Sequence, residues 1–200
     1  MASLSDYEGL KQSIIDTLQR NDVDIDEHVV RFIQLCEDDL NDIDHPYFIA
    51  RTTFEADAQV TLPGDLKALI TLSVAGWGPV KYVSFEDFDL FNENGGSGYY
   101  YTLMGEEIFF SSQCVGSTIN MTFKRNLNGL SVYNPTNWVL QNFPSAYLYG
   151  ALKHASVWLV EDERLPMWDG LYNQAMASIE KDAVNRSMPL VSSMTKRKVV

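Results

Sequence analysis

The spacing of apolar residues changes twice along the chain, from a helical period to a strand period and back. Near the N-terminus Leu10, Ile14 and Leu18 recur four positions apart, which predicts a first helix over about residues 5–20. A second apolar stripe predicts another helix, which ends before Pro46 because proline cannot continue a helix. The N-terminal quarter of the chain is therefore predicted to be a helical pair.

The middle of the chain alternates apolar and polar residues, the pattern of a half-buried β-strand. This alternation runs over residues 52–62, where Pro63-Gly64 is predicted to end the strand, and it returns over residues 68–74. A hairpin is predicted about Gly105-Glu106, and a further strand over residues 118–125. Together these strands predict a small antiparallel sheet.

Helical periodicity returns after Pro144 and predicts an antiparallel pair of helices that ends at about Ser187. The first helix of this pair contains Gly150, Ala151 and Ala155. Because these side chains are small, we expect another helix to approach closely at that position.

The predicted fold class is α+β, with a four-helix bundle-like core and a small antiparallel β-sheet inserted between the N-terminal and C-terminal helical pairs. A chain of 200 residues fits a single structural domain. Its predicted parts are the N-terminal helical pair (1–50), the inserted antiparallel β sub-domain (51–135), the C-terminal helical pair (136–187) and an extended basic tail (188–200).

Charge is unevenly distributed along the chain. The 15 Lys and Arg against 27 Asp and Glu give a net charge of −12, which would repel nucleic acid and anionic membranes. Residues 1–60 hold 14 of the acids and four bases, whereas Lys196-Arg197-Lys198 is the only basic cluster. Two cysteines, Cys36 and Cys114, are too few for a disulfide framework. With no secretory signal predicted, we expect a soluble protein of a reducing compartment.

Catalytic and metal-binding motifs do not occur in usable form. Asp22, Asp24 and Asp26 resemble the start of a calcium loop, but Glu27 stands where that loop needs glycine and Ile33 where it needs glutamate. The histidines and cysteines lack the spacing of a zinc site, and no nucleophile elbow, phosphate loop or dinucleotide fingerprint is present. The sequence therefore predicts no enzyme, no metal site and no cofactor.

The second predicted helix carries an acidic cluster and a cysteine. We interpret Glu37, Asp38 and Asp39 as a solvated polar face, and Cys36 as a packing residue on the apolar stripe rather than a nucleophile.

Several aromatic residues lie near polar loops and are candidate hot spots for contacts with other subunits. They are Trp77, Phe85, Phe88 and Phe91. The alternative interpretation is ordinary core filling, which we favour for at least half of them.

A pattern of residues spans most of the chain and is strongest in its C-terminal third. The matching residues there are Asn137-Trp138-Val139-Leu140, Pro144, Tyr147-Leu148-Tyr149-Gly150-Ala151-Leu152, Ala155, Asp162-Glu163-Arg164, Trp168, Tyr172 and Ala175. Earlier matches include Phe32-Ile33-Gln34-Leu35, Leu62-Pro63-Gly64-Asp65-Leu66 and Tyr82-Val83-Ser84. Over about residues 5–187 the chain resembles the tailed-bacteriophage head-to-tail adaptor family, the connector or neck proteins.

This resemblance implies a structural protein of the virion neck, made in the host cytoplasm. Such a protein forms a ring, dodecameric by resemblance, below the phage portal, connects the capsid to the tail and surrounds the DNA conduit without binding DNA specifically. The implied partners are the portal protein, neighbouring adaptor subunits and a downstream tail or nozzle protein. No membrane is implied.

The tail after Ser187 supplies the predicted partner-binding residues. Its few apolar side chains cannot form a core, and Pro189 stops the preceding helix. We expect an extended arm that lies on another subunit, with its apolar residues in shallow pockets and its cations against acids. The resemblance implies that this subunit is the portal. The predicted contact residues are Leu190, Val191, Met194, Lys196, Arg197 and Lys198.

Two other classes of protein stay open on the sequence. A carbohydrate- or receptor-binding virion module would use the Tyr- and Gly-rich residues 94–104 as a stacking platform. A hydrolase would need carboxylates that converge in one cleft with perturbed pKa values.

Overall fold

The computed structural model describes residues 4–19, 24–93, 98–159 and 163–187. The chain divides into two compact units. The helical unit consists of Met1–Pro46 and Leu127–Val200, and the sheet unit consists of Tyr47–Asn126. The four-part division of the chain given above stays a prediction.

Six helices occur in the described residues. They are α1 (Tyr7–Leu18), α2 (Ile25–Asn41), α3 (Phe85–Glu93), α4 (Trp138–Asn142), α5 (Pro144–Leu159) and α6 (Leu165–Ser187). All except α3 belong to the helical unit. Among the residues that the structure describes, no helix combines the length and apolar character needed to cross a membrane.

Helix α5 is the centre of the helical unit, where α1, α2, α4 and α6 contact it. The close approach of α2 and α6 to α5 requires glycine at position 150. A Cβ atom there would collide with Cys36 Sγ of α2 and lie 3.0 Å from the Tyr172 ring of α6. The predicted close approach of a helix at this position is therefore confirmed. Burial raises the pKa of the Cys36 thiol well above its ordinary value, which agrees with a packing role.

The described residues of the sheet unit form eight strands in two four-stranded sheets. The strands are β1 (Ile49–Glu55), β2 (Gln59–Thr61), β3 (Leu66–Val74), β4 (Gly78–Pro79), β5 (Lys81–Tyr82), β6 (Tyr100–Met104), β7 (Glu107–Phe110) and β8 (Thr118–Arg125). The first sheet has the order β1-β8-β3-β4 and the second has the order β2-β7-β6-β5. A 3-10 turn, Pro46–Phe48, precedes β1.

The core of the sheet unit contains buried side chains from both sheets. Leu72 and Met121 of the first sheet belong to the same apolar cluster as Ile108 and Phe110 of the second. Side chains alternate along a strand, so Tyr99 and Tyr101, which pack against this cluster, place Tyr100 on the opposite face of the second sheet. There α3 contacts β6, and Phe91 stacks on Tyr100 with ring centroids 5.3 Å apart.

The predicted fold class is wrong in its arrangement. The described residues are α+β, but they form six helices and two four-stranded sheets rather than a four-helix bundle with one inserted sheet. The predicted strand over 52–62 is in fact β1 and β2, which belong to different sheets. The apolar alternation of the sequence spans the break, where Ala56 stays buried and shares backbone hydrogen bonds with Gly116 and Ser117, whereas Ala58 is exposed. In addition, β5 pairs with β6 in parallel.

Candidate interaction surfaces

The predicted portal-binding residues lie in the tail, outside the described residues. They are Leu190, Val191, Met194, Lys196, Arg197 and Lys198. The surfaces described below belong instead to the two units.

Glu37 holds a loop of the helical unit in place. Its side chain is buried, with 9% of the residue exposed, so the predicted solvated face is wrong for this acid, whereas Asp38 is exposed. Glu37 Oε1 accepts hydrogen bonds from the Leu130 backbone N–H at 2.6 Å and from the Tyr147 hydroxyl at 3.1 Å. Burial raises the pKa of Glu37, while these two hydrogen bonds favour its charged form.

Asn137 continues this hydrogen-bonded network toward α4. Its Nδ2 donates to the Tyr147 hydroxyl and to the Asn128 carbonyl, and its Oδ1 accepts from the Leu140 backbone N–H at the start of α4. The side chain thus caps a helix and ties the preceding segment to α5. We call residues 127–137 the anchored loop.

The tip of the anchored loop is a closed turn with an exposed aromatic residue. Ser131 and Asn134 exchange backbone hydrogen bonds of 3.0 and 3.1 Å, and Asn134 Nδ2 donates to the Gly129 carbonyl at 2.7 Å. Between them Val132 is 72% exposed and Tyr133 is 99% exposed. The turn therefore presents an apolar pair to solvent on a backbone that hydrogen bonds hold in shape.

Two histidines of the helical unit pair with carboxylates. His45 Nε2 lies 3.1 Å from Asp182 Oδ2, and Arg186 Nε donates to the same oxygen at 2.6 Å. The hydrogen bond from Arg186 is the main cause of the lowered pKa of Asp182. His154 Nε2 lies 3.1 Å from Asp39 Oδ2. These are pairwise contacts, and in the described ranges no three His, Cys, Asp or Glu side chains converge as metal ligands would.

Most of the candidate aromatic residues on the sheet unit are exposed. Trp77 is 79% exposed, and Phe85 and Phe91 of α3 are exposed too, whereas Phe88 is buried. Core filling therefore applies to Phe88 alone, and our expectation that it applies to at least half of the four is wrong. Large exposed aromatic side chains are typical of surfaces that contact other proteins.

An apolar cavity opens at one side of the sheet unit, between the edge strands β1 and β2. It measures about 200 Å³ and includes Ile108 and Met121, which are buried, in its lining. The full lining consists of Thr52, Phe54, Val60, Thr61, Leu62, Pro63, Ile108 and Met121.

Comparison with protein families identifies the chain. The family model described as the SU10 adaptor protein matches residues 5–196. The chain belongs to the SU10 adaptor protein family. This is a phage head-to-tail adaptor family, so the predicted resemblance is confirmed. No curated protein matches the chain.

Membership of this family gives the protein a general role. It is a structural phage protein of the virion that interacts with other head or tail components. The match reaches residue 196 and so includes most of the predicted tail.

Reasoning from the sequence missed the roles of two residues, Glu37, which holds the anchored loop, and Tyr133 at its tip. Glu37 lies four positions after Ile33 and three before Leu40, both buried on α2, so helical periodicity could have placed it on the buried face. Tyr133 has no comparable signal, because exposure at a turn depends on the contacts of the whole loop.

Proposed function

We propose that the adaptor forms a closed ring, dodecameric by family resemblance, below the phage portal. There it connects the capsid to the tail and surrounds the DNA conduit at the virion neck, after synthesis in the host cytoplasm. The observation that carries this proposal is the family match over residues 5–196. A downstream tail or nozzle protein completes the set of proposed partners.

The surfaces of both units support a role in assembly. A ring of identical subunits needs two different contact surfaces on each copy. The helical unit offers the exposed tip of the anchored loop, and the sheet unit offers exposed aromatic side chains at Trp77, Phe85 and Phe91. A chain that carries a net charge of −12 on every copy repels itself, so we expect assembly on a portal template rather than in free solution.

The excess of acidic residues also supports a conduit through which DNA passes without being bound. Residues 1–60 hold 14 acids and four bases, and like charge lowers affinity for the phosphate backbone. We therefore propose an acidic inner wall. A reconstruction of the assembled neck tests this: a lumen lined mainly by Lys and Arg would contradict it.

The tail remains our proposed portal contact. Leu190, Val191 and Met194 would enter shallow pockets while Lys196-Arg197-Lys198 pairs with acids on the portal. Each exposed ion pair contributes only about 0–1 kcal/mol, so the apolar residues and the repeated copies should dominate binding.

Sedimentation of the purified adaptor with and without portal tests the proposal. We expect a monomer or weak association alone, and a ring-sized complex with portal. A chain truncated after Ser187 should keep its melting temperature and lose stable attachment. A stable isolated dimer, or no uptake by portal, would contradict the ring; equal binding by the truncated chain would contradict the role of the tail alone.

The described part of the segment proposed for carbohydrate binding does not favour that alternative. Tyr99, Tyr100 and Tyr101 are half-buried, and Phe91 covers one face of Tyr100. A sugar-binding platform needs an exposed aromatic face. The adaptor family is a structural one, and such proteins are typically not enzymes.

A further inference from the structure

We propose that Tyr133 of one adaptor copy inserts into the apolar cavity between β1 and β2 of the neighbouring copy. This inference rests on the proposed ring and deepens it, because it names the two surfaces through which adjacent subunits meet. The partner is a second copy of this chain.

Tyr133 has the properties of an inserting side chain. It is 99% exposed at the tip of the anchored loop, next to Val132, which is also exposed. The turn is closed by hydrogen bonds between Ser131 and Asn134, and Glu37 holds the adjoining residue Leu130. Since the loop is already ordered, little conformational entropy is lost when the tip docks. Tyrosine is also among the residues most enriched at the centres of interfaces.

The cavity matches an aromatic ring in size and chemistry. Its volume is about 200 Å³, and an apolar cavity of about 150 Å³ is known to hold a benzene molecule. Phe54, Val60 and Leu62 contribute apolar residues to its lining, and Thr52 and Thr61 line it as well. It lies between two strands that each form the outer edge of a sheet, so its opening is not covered by a further strand.

The absence of charged residues makes the anchored loop and the cavity compatible as the two sides of one contact. The adaptor has a net charge of −12, so most pairs of surfaces from two copies bring acids together. Residues 126–152, which include the anchored loop, contain no Asp, Glu, Lys or Arg. The cavity lining likewise contains no charged residue. Contact between them buries apolar surface without placing two like charges in the interface.

The proposed contact propagates from one subunit to the next. The loop tip belongs to the helical unit and the cavity to the sheet unit, so each copy supplies both partners of a heterologous contact and can close a ring. A single inserted side chain gives weak affinity. The contact should therefore form mainly when the portal holds neighbouring copies at a high effective concentration.

Disulfide trapping between two different variants tests the insertion. The variants Tyr133→Cys and Thr61→Cys are purified separately, mixed at high protein concentration and oxidised, so that any cross-link must join two chains. Thr61 is exposed and lines the cavity, and the native Cys36 and Cys114 are buried, which limits side reactions. We expect a cross-linked dimer to form about tenfold faster than with the control variant Thr118→Cys, since docking raises the effective concentration of the two thiols. Thr118 is an exposed strand residue outside the cavity lining.

A chain that carries both substitutions gives a second readout. It should produce a ladder of dimers, trimers and larger species, because a heterologous contact continues along the chain of subunits. Cross-linking that stops at the dimer, or equal rates with Thr61→Cys and Thr118→Cys, would overturn the proposal.

A portal-binding assay separates this proposal from the ring itself. The variant Tyr133→Asp should still attach to portal through its tail but fail to give a complete ring, whereas Tyr133→Phe should assemble like the wild type. If Tyr133→Asp forms rings as well as the wild type does, the insertion is wrong and the ring stands. If the wild type itself gives no ring on portal, the proposed function fails.

Discussion

The two units satisfy the hydrogen bonds of their buried backbone groups in different ways. In the sheet unit, neighbouring strands satisfy each other's N–H and C=O groups through the ladders of two sheets, and the shared core is almost wholly apolar. In the helical unit, the anchored loop belongs to no sheet, and a buried acid, Glu37, accepts a hydrogen bond from the Leu130 backbone N–H instead. An irregular segment beside helices draws on side chains for hydrogen bonds that a paired strand obtains from the backbone of its neighbour.

This difference affects how each unit should respond to substitution. The sheet unit should be most sensitive to lost apolar volume, because its core is stabilised mainly by burial. The helical unit should be sensitive both to single polar groups, such as Glu37, and to added volume at Gly150. Four predictions follow this contrast in order of decreasing expected effect.

Ile108→Ala should destabilise the sheet unit most. Ile108 is fully buried between the two sheets, so its truncation removes apolar contacts and leaves a cavity, at a cost of about 2–5 kcal/mol. Amide hydrogen exchange along β7 and β8, with urea unfolding, measures the change. Ile70→Ala is the matched control: Ile70 is half-exposed, and its loss should change stability by about 0.5 kcal/mol or less. Equal effects of the two variants would show that the apolar core does not dominate this unit.

Glu37→Ala should release the anchored loop. The Leu130 N–H and the Tyr147 hydroxyl both lose their acceptor, and each buried donor left unpaired costs about 1–3 kcal/mol. Faster amide exchange at Leu130 and a lower free energy of unfolding report the loss. Glu37→Gln keeps an acceptor oxygen and should recover most of the stability. A Gln variant as unstable as the Ala variant would contradict this role for Glu37.

Gly150→Ala should destabilise the packing of α5 against α2 and α6. The added methyl group meets Cys36 and Tyr172, and overpacking of this kind costs about 1–3 kcal/mol. Because the added methyl group collides with the buried Cys36 Sγ, we expect a cost above the gain in helix propensity of about 1 kcal/mol. Gly170→Ala in α6 has open space and should show only that gain. Urea unfolding of both variants gives the comparison, which fails if they shift in the same direction.

The dependence of stability on pH should show the smallest effect. Burial raises the pKa of Glu37 above its unfolded value, so the folded state holds this proton more tightly. The resulting stabilisation is complete below the unfolded pKa of about 4.3 and is lost as the pH rises through the folded pKa. Asp182 has a lowered pKa and acts in the opposite sense, losing its contribution as the pH falls.

Urea unfolding of the wild type and of Glu37→Gln measures this difference. The measurements run from about pH 4, near the reference pKa of a carboxyl group, to about pH 7. The stability of Glu37→Gln relative to the wild type should rise with pH, because Gln cannot ionise. A difference that stays constant over the range would show that the folded pKa of Glu37 is not raised.

Local periodicity in the sequence determined much of the secondary structure. The strand over 118–125 has the observed bounds of β8, and the predicted restart of helix after Pro144 is the start of α5. These elements are read correctly because the spacing of apolar residues reflects which face of a single element is buried. The close approach at Gly150 follows from side-chain size, which is also a property of the sequence alone.

Only the tertiary structure decided which elements are partners. The alternation over 52–62 continues without interruption although β1 and β2 pair in different sheets, since a strand's period does not depend on its neighbour. The parallel pairing of β5 with β6 and the burial of Glu37 are likewise set by contacts between residues far apart in the chain. Burial of a charged group becomes acceptable only when such contacts supply its hydrogen bonds, and those contacts exist only in the folded chain.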